Sequence, residues 1–351
     1  MINDPTPILF FTGKGGAGKT STACATAIDL ADAGSRVLLV STDPASNLDE
    51  VLGVELSGAP RQVPRVPRLS ALNIDPETAA HDYRERVVGP YRGILPEAAV
   101  SSIEEQLSGA CTMEIAAFEE FSKLLGDEAA TAAFDHVVFD AAPTGHTLRL
   151  LELPAAWSDF IRTNVGGTSC LGPLAGLEAQ KELYAATNAA LRDGKRTTLV
   201  LVARPERSSL REAERTRDEL SQLGIGNVRL IVNGVFRAGD PGDATAVAMQ
   251  VRGEASLEAM PAALCGLARV EVPLLPFGLV GIDALRNMSK DAPSAPLAEA
   301  VASNGFEGDS MADLVEQLAA RCKGVVMTLA RAASARRLSR RASRRSWLGE
   351  A

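Results

Sequence analysis

Residues Gly13–Thr20 read GKGGAGKT. The spacing is that of a phosphate loop, G-x-x-x-x-G-K followed by Thr, with a second lysine, Lys14, directly after the first glycine. Upstream, Ile8-Leu9-Phe10-Phe11 is the continuous apolar run that a buried parallel strand needs. Downstream, TSTACATAIDLADAG is a helix pattern that stops at Gly34. A strand, a glycine-rich turn and a helix make the setting in which such a loop works. The backbone N–H groups of Gly13, Lys14, Gly15, Gly16, Ala17 and Gly18 are expected to turn inward on phosphate oxygens, with partial positive charge added by the helix N-terminus. Lys19 is expected on the β- and γ-phosphates of a nucleotide, and Thr20 on Mg2+.

The chain has 351 residues and is 46% apolar, enough for one large α/β domain or two small ones with a substantial core. Its start, MINDPTP, is acidic and proline-bearing, so no signal peptide is read there, and no run of about 18 apolar residues offers a membrane span. Cys24, Cys111, Cys170, Cys265 and Cys322 are scattered with no CxxC pair, which argues against a zinc clip or disulfide scaffold and for a reducing cytosol. The net charge of −8 is unevenly spread. Residues 330–351 hold seven Arg and one Glu, leaving 29 basic against 43 acidic residues, net −14, in the remainder. So acidic a body does not suit nucleic acid, and none is expected as a partner.

Strand-like runs recur at Arg36–Ser41, Leu69–Ile74, His136–Asp140, Thr197–Val202, Val228–Val232 and Val270–Leu275. Most are apolar throughout, the mark of a parallel sheet covered on both faces, and they alternate with helical patterns. The expected fold is a doubly wound, mostly parallel α/β sheet with its ligand at the carboxyl ends of the strands. Residues 76–130 and 150–195 interrupt the rhythm and read as a helical subdomain. Residues 286–310, rich in Ser, Ala, Pro and Asp, read as a linker, followed by the helix MADLVEQLAARCKG and one more strand at Val325–Leu329.

Three positions at strand ends bear on the loop. Asp43 lies in STDPASNLDEVL, where a carboxylate suits the Mg2+ shell or the orientation of an attacking water; Asp-Pro also suits a helix N-cap. Asp140 ends an apolar strand, the usual place of the second acidic partner of a phosphate loop, held near the metal through water. Asn233 closes the sixth strand, where an amide fits either the adenine edge or a turn.

The strings FFTGKGGAGKTSTACATAI, STDPAS, EQLSGACTMEIAAFEEF, DAAPTGHTLRLL and SCLGPLAGLE resemble the ArsA family, the ATPase subunits of arsenite and antimonite efflux pumps, over about residues 7–329. The resemblance implies the phosphate-loop NTPase fold with a deviant loop, ATP and Mg2+ as cofactors, and hydrolysis stimulated by arsenite or antimonite. Lys14 would reach the phosphates of an opposite half. Asp43 would serve in the first switch, and Asp140 to Thr147 in the second, where Ala141 stands in place of the family's usual Thr. Cys111, His146 and Cys170 fall on the metalloid ligand positions, and thiolates suit so soft a centre. By composition alone, a cysteine in a helical run such as Cys111 is a small buried hydrophobe. The implied partners are an integral membrane arsenite channel and a second ATPase half, with the chain cytoplasmic and peripheral at the inner membrane. A targeting ATPase for tail-anchored membrane proteins, which shares the fold, is the alternative. The missing CxxC and the small number of methionines, seven, count against it. An inactive half-protein is a further alternative.

On the family plan, residues 1–285 form one ATPase half and residues 311–329 open a second. A second phosphate loop is due after Leu329, where the chain reads ARAASARRLSRRASRRSWLGEA. The expectation is a frameshift. Written with permitted codons, Ala330 onward is GCA AGG GCG GCG TCG GCA AGA CG, and one added G turns it into GGC AAG GGC GGC GTC GGC AAG ACG, which encodes GKGGVGKT. The rivals are a basic helix on an anionic membrane, whose other face of Ala and Ser buries little apolar surface, and a nucleic-acid arm. The coding sequence decides it: inserting one base ahead of codon 330 restores a phosphate loop, and a gene in which it does not removes the frameshift.

Overall fold

The computed structural model describes residues 2–43, 47–141, 175–290 and 311–320. Its strands are β1 (Ile8–Thr12), β2 (Val37–Ser41), β3 (Arg61–Gln62), β4 (Leu69–Asn73), β5 (His136–Asp140), β6 (Thr197–Ala203), β7 (Val228–Val235) and β8 (Ala268–Pro273). They form one sheet in the order β3-β4-β2-β5-β1-β6-β7-β8, every neighbouring pair parallel except β3 with β4. The seven expected strands are present, and the doubly wound α/β class holds. β3 carried no apolar signal: it is two exposed residues folded back on β4. β8 lies two residues earlier than its apolar run suggests, because it is an edge strand with only Val272 buried.

The apolar runs have a simple packing cause. On β1, Ile8 and Phe10 enter one core, while Leu9 and Phe11 enter the other. Each central strand therefore needs an apolar side chain at every position rather than every second one. Helices α1 (Lys19–Asp32) and α2 (Leu48–Leu52) lie over the Leu9/Phe11 face. The helical stretch expected from residue 76 comprises α3 (Pro76–Val88), α4 (Glu97–Gln106), α5 (Ala110–Gly126) and the short α6 (Glu128–Thr131). Next come α7 (Ala175–Arg192), α8 (Arg207–Gln222), α9 (Ala244–Glu258), α10 (Ala262–Cys265) and α11 (Ile282–Met288). α5, α7 and α8 cover the Phe10 face. α11 buries Ile282, Leu285 and Met288 in the α1-side core, so a packed helix continues three residues into the stretch whose composition reads as linker.

Aromatic rings fasten α5 to the sheet. Phe121 meets Phe10 edge-on at 5.7 Å between centroids and Phe139 at 5.3 Å, while Phe118 packs on Tyr184 of α7 at 5.1 Å. Such pairs contribute about 0.5–1.5 kcal/mol each beyond the area they bury. A smaller core under α3 and α4, around Tyr83, Val88 and Leu107, joins the outer helices to α5, and Arg86 bridges from α3 to the buried Glu119 of α5.

The chain divides into two compact units, Met1–Pro293 and Ser294–Ala351. All the elements above belong to the first. Of the second, the described residues give α12 (Met311–Ala319). The expected strand at 325–329, the tail at 330–351 and residues 150–174 lie outside the described residues.

Candidate functional site

The sheet register lines up the site. Phe11 sits opposite Asp140 on one side and Val200 on the other, and Ser41 sits opposite Asp140. β2, β5 and β1 thus end within one residue of each other, β6 runs two residues further, and the loop Gly13–Thr20 leaves β1 at that edge. Gly13 has φ +151°, and a Cβ there would come within 2.2 Å of the Val202 carbonyl oxygen. Any side chain would push the loop off β6. The loop ends at Gly18, φ +91°, which caps α1 with no side-chain bond, and no acidic residue occupies the helix's first turn. That N-terminus keeps its positive end for an anion.

Lys19, Thr20, Asp43 and Asp140 converge. Lys19 is only 8% exposed, and its ammonium pKa is lowered, chiefly by burial, against the opposing pull of Asp140 and Asp43. Asp140 is 1% exposed and takes a hydrogen bond from the Thr20 side chain. Burial pushes its carboxyl up to about 6, with Thr20 and Lys19 opposing the rise and Asp43 adding to it. One carboxylate oxygen, Oδ1, is buried without a partner among the described residues, as are the hydroxyls of Thr12 and Thr42 at the ends of β1 and β2. A buried, half-satisfied carboxylate beside a threonine hydroxyl is a fitting donor set for Mg2+, a hard cation that takes oxygen ligands. Asp43 is half-buried just past β2, and the cap of α2 is Asn47, so the N-cap alternative for Asp43 does not apply.

Asn233 has a contact that neither sequence reading included. It lies inside β7, 7% exposed, and its Nδ2 donates to the Ala17 carbonyl at 2.9 Å. The same nitrogen stands 2.1 Å from where a Cβ on Gly18 would be. This amide N–H therefore braces the phosphate loop from the side, a contact between residues 216 apart that strand-end position alone does not reveal. Lys14 is half-buried, and its Nζ donates to Ser208 Oγ of α8 in the same chain at 3.0 Å. Ser208 and Val202 are site neighbours that the sequence reading missed. The segment ARPERSSL, directly after a buried strand at the ligand-bearing edge, was the available signal.

Cys111 is the second residue of α5, while His146 and Cys170 lie outside the described residues. Cys24 is fully buried on α1, in the core as expected, and its thiol is held well above its usual range, mainly by burial.

Two outcomes follow from these contacts. Asn233→Ala leaves the Ala17 carbonyl unpaired, which is expected to cost about 1–3 kcal/mol in thermal unfolding and to weaken nucleotide binding by calorimetry. The second concerns pH. The folded-state pKa of Asp140 lies above its unfolded value of 3.8, so its ionised form costs stability increasingly as pH rises from there through about 6. Mg2+ needs that ionised form. Mg2+-dependent nucleotide binding should therefore weaken as pH falls through about 6, and Asp140→Asn should flatten that trend to the part set by the nucleotide's own terminal phosphate.

A family model described as anion-transporting ATPase matches residues 6–293. An arsenical pump-driving ATPase of Acidiphilium multivorum is 49% identical over 331 residues, covering 94% of this chain and 57% of that protein. One of the same name from Escherichia coli is 50% identical over 323 residues, covering 92% and 55%. The ATPase get3 of Schizosaccharomyces japonicus is 30% identical over 306 residues, covering 80% and 90%. The chain spans little more than half the length of the arsenical pump-driving relatives. With its loop, its paired acids and a family match over most of its residues, the chain belongs to the anion-transporting ATPase family.

Proposed function

We propose that this chain hydrolyses ATP with Mg2+, that arsenite or antimonite stimulates the hydrolysis, and that the reaction drives metalloid export through an integral membrane channel. Two ATPase halves, either two copies of this chain or this chain and a second half, would meet to complete the site. The observation that carries the reading is the convergence of Lys19, Thr20, Asp43 and Asp140 on one phosphate loop.

In this reading Lys19 neutralises the β- and γ-phosphates, while Gly13 to Gly18 hold them by backbone N–H groups. Thr20 and Asp140 would hold Mg2+, which when bound draws negative charge off the phosphate oxygens. Asp43 orients a water molecule for in-line attack on the γ-phosphorus. The bond to the β–γ bridging oxygen breaks, and ADP and inorganic phosphate leave. Lys14 crosses to the facing loop when two halves meet, leaving Ser208.

The metalloid is assigned to Cys111, His146 and Cys170 as substrate and activator. Cys111 opens α5, and the same helix presses Phe121 on Phe10, three residues before Gly13, and on Phe139, which precedes Asp140. A pull on α5 thus has a packed path to the loop. Among the described residues no helix is long and apolar enough to cross a membrane. Contact with the membrane is accordingly assigned to the channel partner, with the body of the chain on the cytoplasmic side.

ATPase rates of the full chain with and without antimonite test the proposal. Stimulation of several-fold is expected in the wild type. It should vanish in Cys111→Ser with the basal rate retained, and Lys14→Ala should lose the stimulated rate. Equal rates with and without antimonite in the wild type would sink the coupling.

A further inference from the structure

Arg204 follows β6 directly and is half-buried at the edge that carries the phosphate loop. Its backbone is fixed by a tight turn: its N–H donates to Ser209 Oγ at 2.9 Å, and its carbonyl accepts from Glu206 at 2.7 Å. The side chain reaches across to β7. A Cβ built on Gly234 would stand 2.7 Å from Nη1 and 2.9 Å from Cζ, so the guanidinium occupies the space that a side chain at position 234 would need. Gly234 has φ +78°, and the residue before it is Asn233, the brace of the loop.

Several other arginines of the fold end on carboxylates, among them Arg36 on Asp135, Arg65 on Asp283, Arg92 on Glu85 and Arg286 on Asp32, and Arg61, Arg192 and Arg229 end on backbone carbonyls. The Arg204 guanidinium has no hydrogen bond or ion pair among the described residues. A half-buried cation seated on backbone, with no counter-charge among the described residues, leaves a face on which a ligand can rest.

The strand order identifies which part of the ligand. Asp43 and Asp140 end β2 and β5, on one side of β1, and they mark the metal and γ-phosphate end. The ribose and base therefore extend to the other side, over β6 and β7. β7 lies two strands from β1, about 10 Å at the usual inter-strand spacing, beyond the β- and γ-phosphates held at the loop. We propose that the Arg204 guanidinium is the platform on which the adenine ring stacks, and that Gly234 is glycine because the platform needs its space. The inference rests on the nucleotide reading of the loop. A guanidinium suits the task because it is planar, permanently charged and weakly hydrated, and it stacks on aromatic faces, as a lysine ammonium does not.

The test compares ATP with inorganic tripolyphosphate, which has the phosphates and no base. Binding of each, with Mg2+, to the full chain is measured by calorimetry for wild type, Arg204→Met and Arg204→Lys. Arg204→Met is expected to weaken ATP roughly tenfold, the scale of a desolvated cation–π contact, and to leave tripolyphosphate unchanged. Arg204→Lys should recover only part of the loss. Quenching of an etheno-adenine nucleotide on binding should fall in both variants. Unchanged ATP binding in Arg204→Met, or equal losses for both ligands, overturns the platform. A wild type that binds neither ligand overturns the loop reading with it.

Discussion

Everything at the carboxyl edge of the sheet depends on keeping one ammonium and one carboxylate out of water together. Lys19 and Asp140 are both almost wholly buried, yet each is pulled towards neutrality by burial and back towards its charge by the other. The mutual attraction is incomplete, since Asp140 remains raised to about 6 and keeps one oxygen without a partner. A divalent cation beside that oxygen would favour the ionised carboxylate, and phosphate oxygens would favour the charged ammonium, so each charge of the pair has a place for a ligand group of opposite sign.

Keeping that pair in place depends on how the loop is seated. Gly13 lets it lie close against the Val202 carbonyl of β6, and Asn233 of β7 ties it down by a hydrogen bond to the Ala17 carbonyl. On the opposite face Phe10, Phe121 and Phe139 lock the strands behind the loop and behind Asp140 to α5. Close-packed interiors move between discrete arrangements rather than deforming smoothly. A shift of α5 would therefore reach both strands at once, and a shift of the loop would be felt at the outer helices through the same rings. Arg86 and Glu119 extend the connection to α3, so the helical layer and the phosphate loop are mechanically one system.

How much of this was legible in the sequence follows from the range of the forces involved. The loop, α1 and the buried strands are specified locally, by glycine at fixed spacing and by apolar side chains at every strand position. The convergence of Asp43 and Asp140 could be inferred because parallel strands that share a ligand end at the same edge. β3 escaped notice, since two exposed residues leave no pattern. The brace at Asn233, the rest of Lys14 on Ser208 and the seating of Arg204 on Gly234 all join residues far apart in sequence through a single side-chain atom or group. Only the assembled sheet states such contacts. Composition placed a linker from residue 286, yet Leu285 and Met288 face a core, because amphipathic spacing on three apolar residues outweighs a polar neighbourhood.

Lys14 gives the two-half reading its energetic shape. In the single chain its ammonium is held by one neutral hydroxyl at the surface, a bond of about 0.5–1.5 kcal/mol net. A phosphate offers a charge-assisted bond roughly twice as strong, in a site that pairing would dry. On the proposed pairing, leaving Ser208 would be a small cost beside the gain across the interface. Two acidic bodies would repel until the nucleotide, the metal and a ligand shared between them outweigh the repulsion. In such a machine the metalloid need not alter the chemistry at the γ-phosphate. It has only to raise the fraction of time that two loops face each other, and the rate follows that fraction.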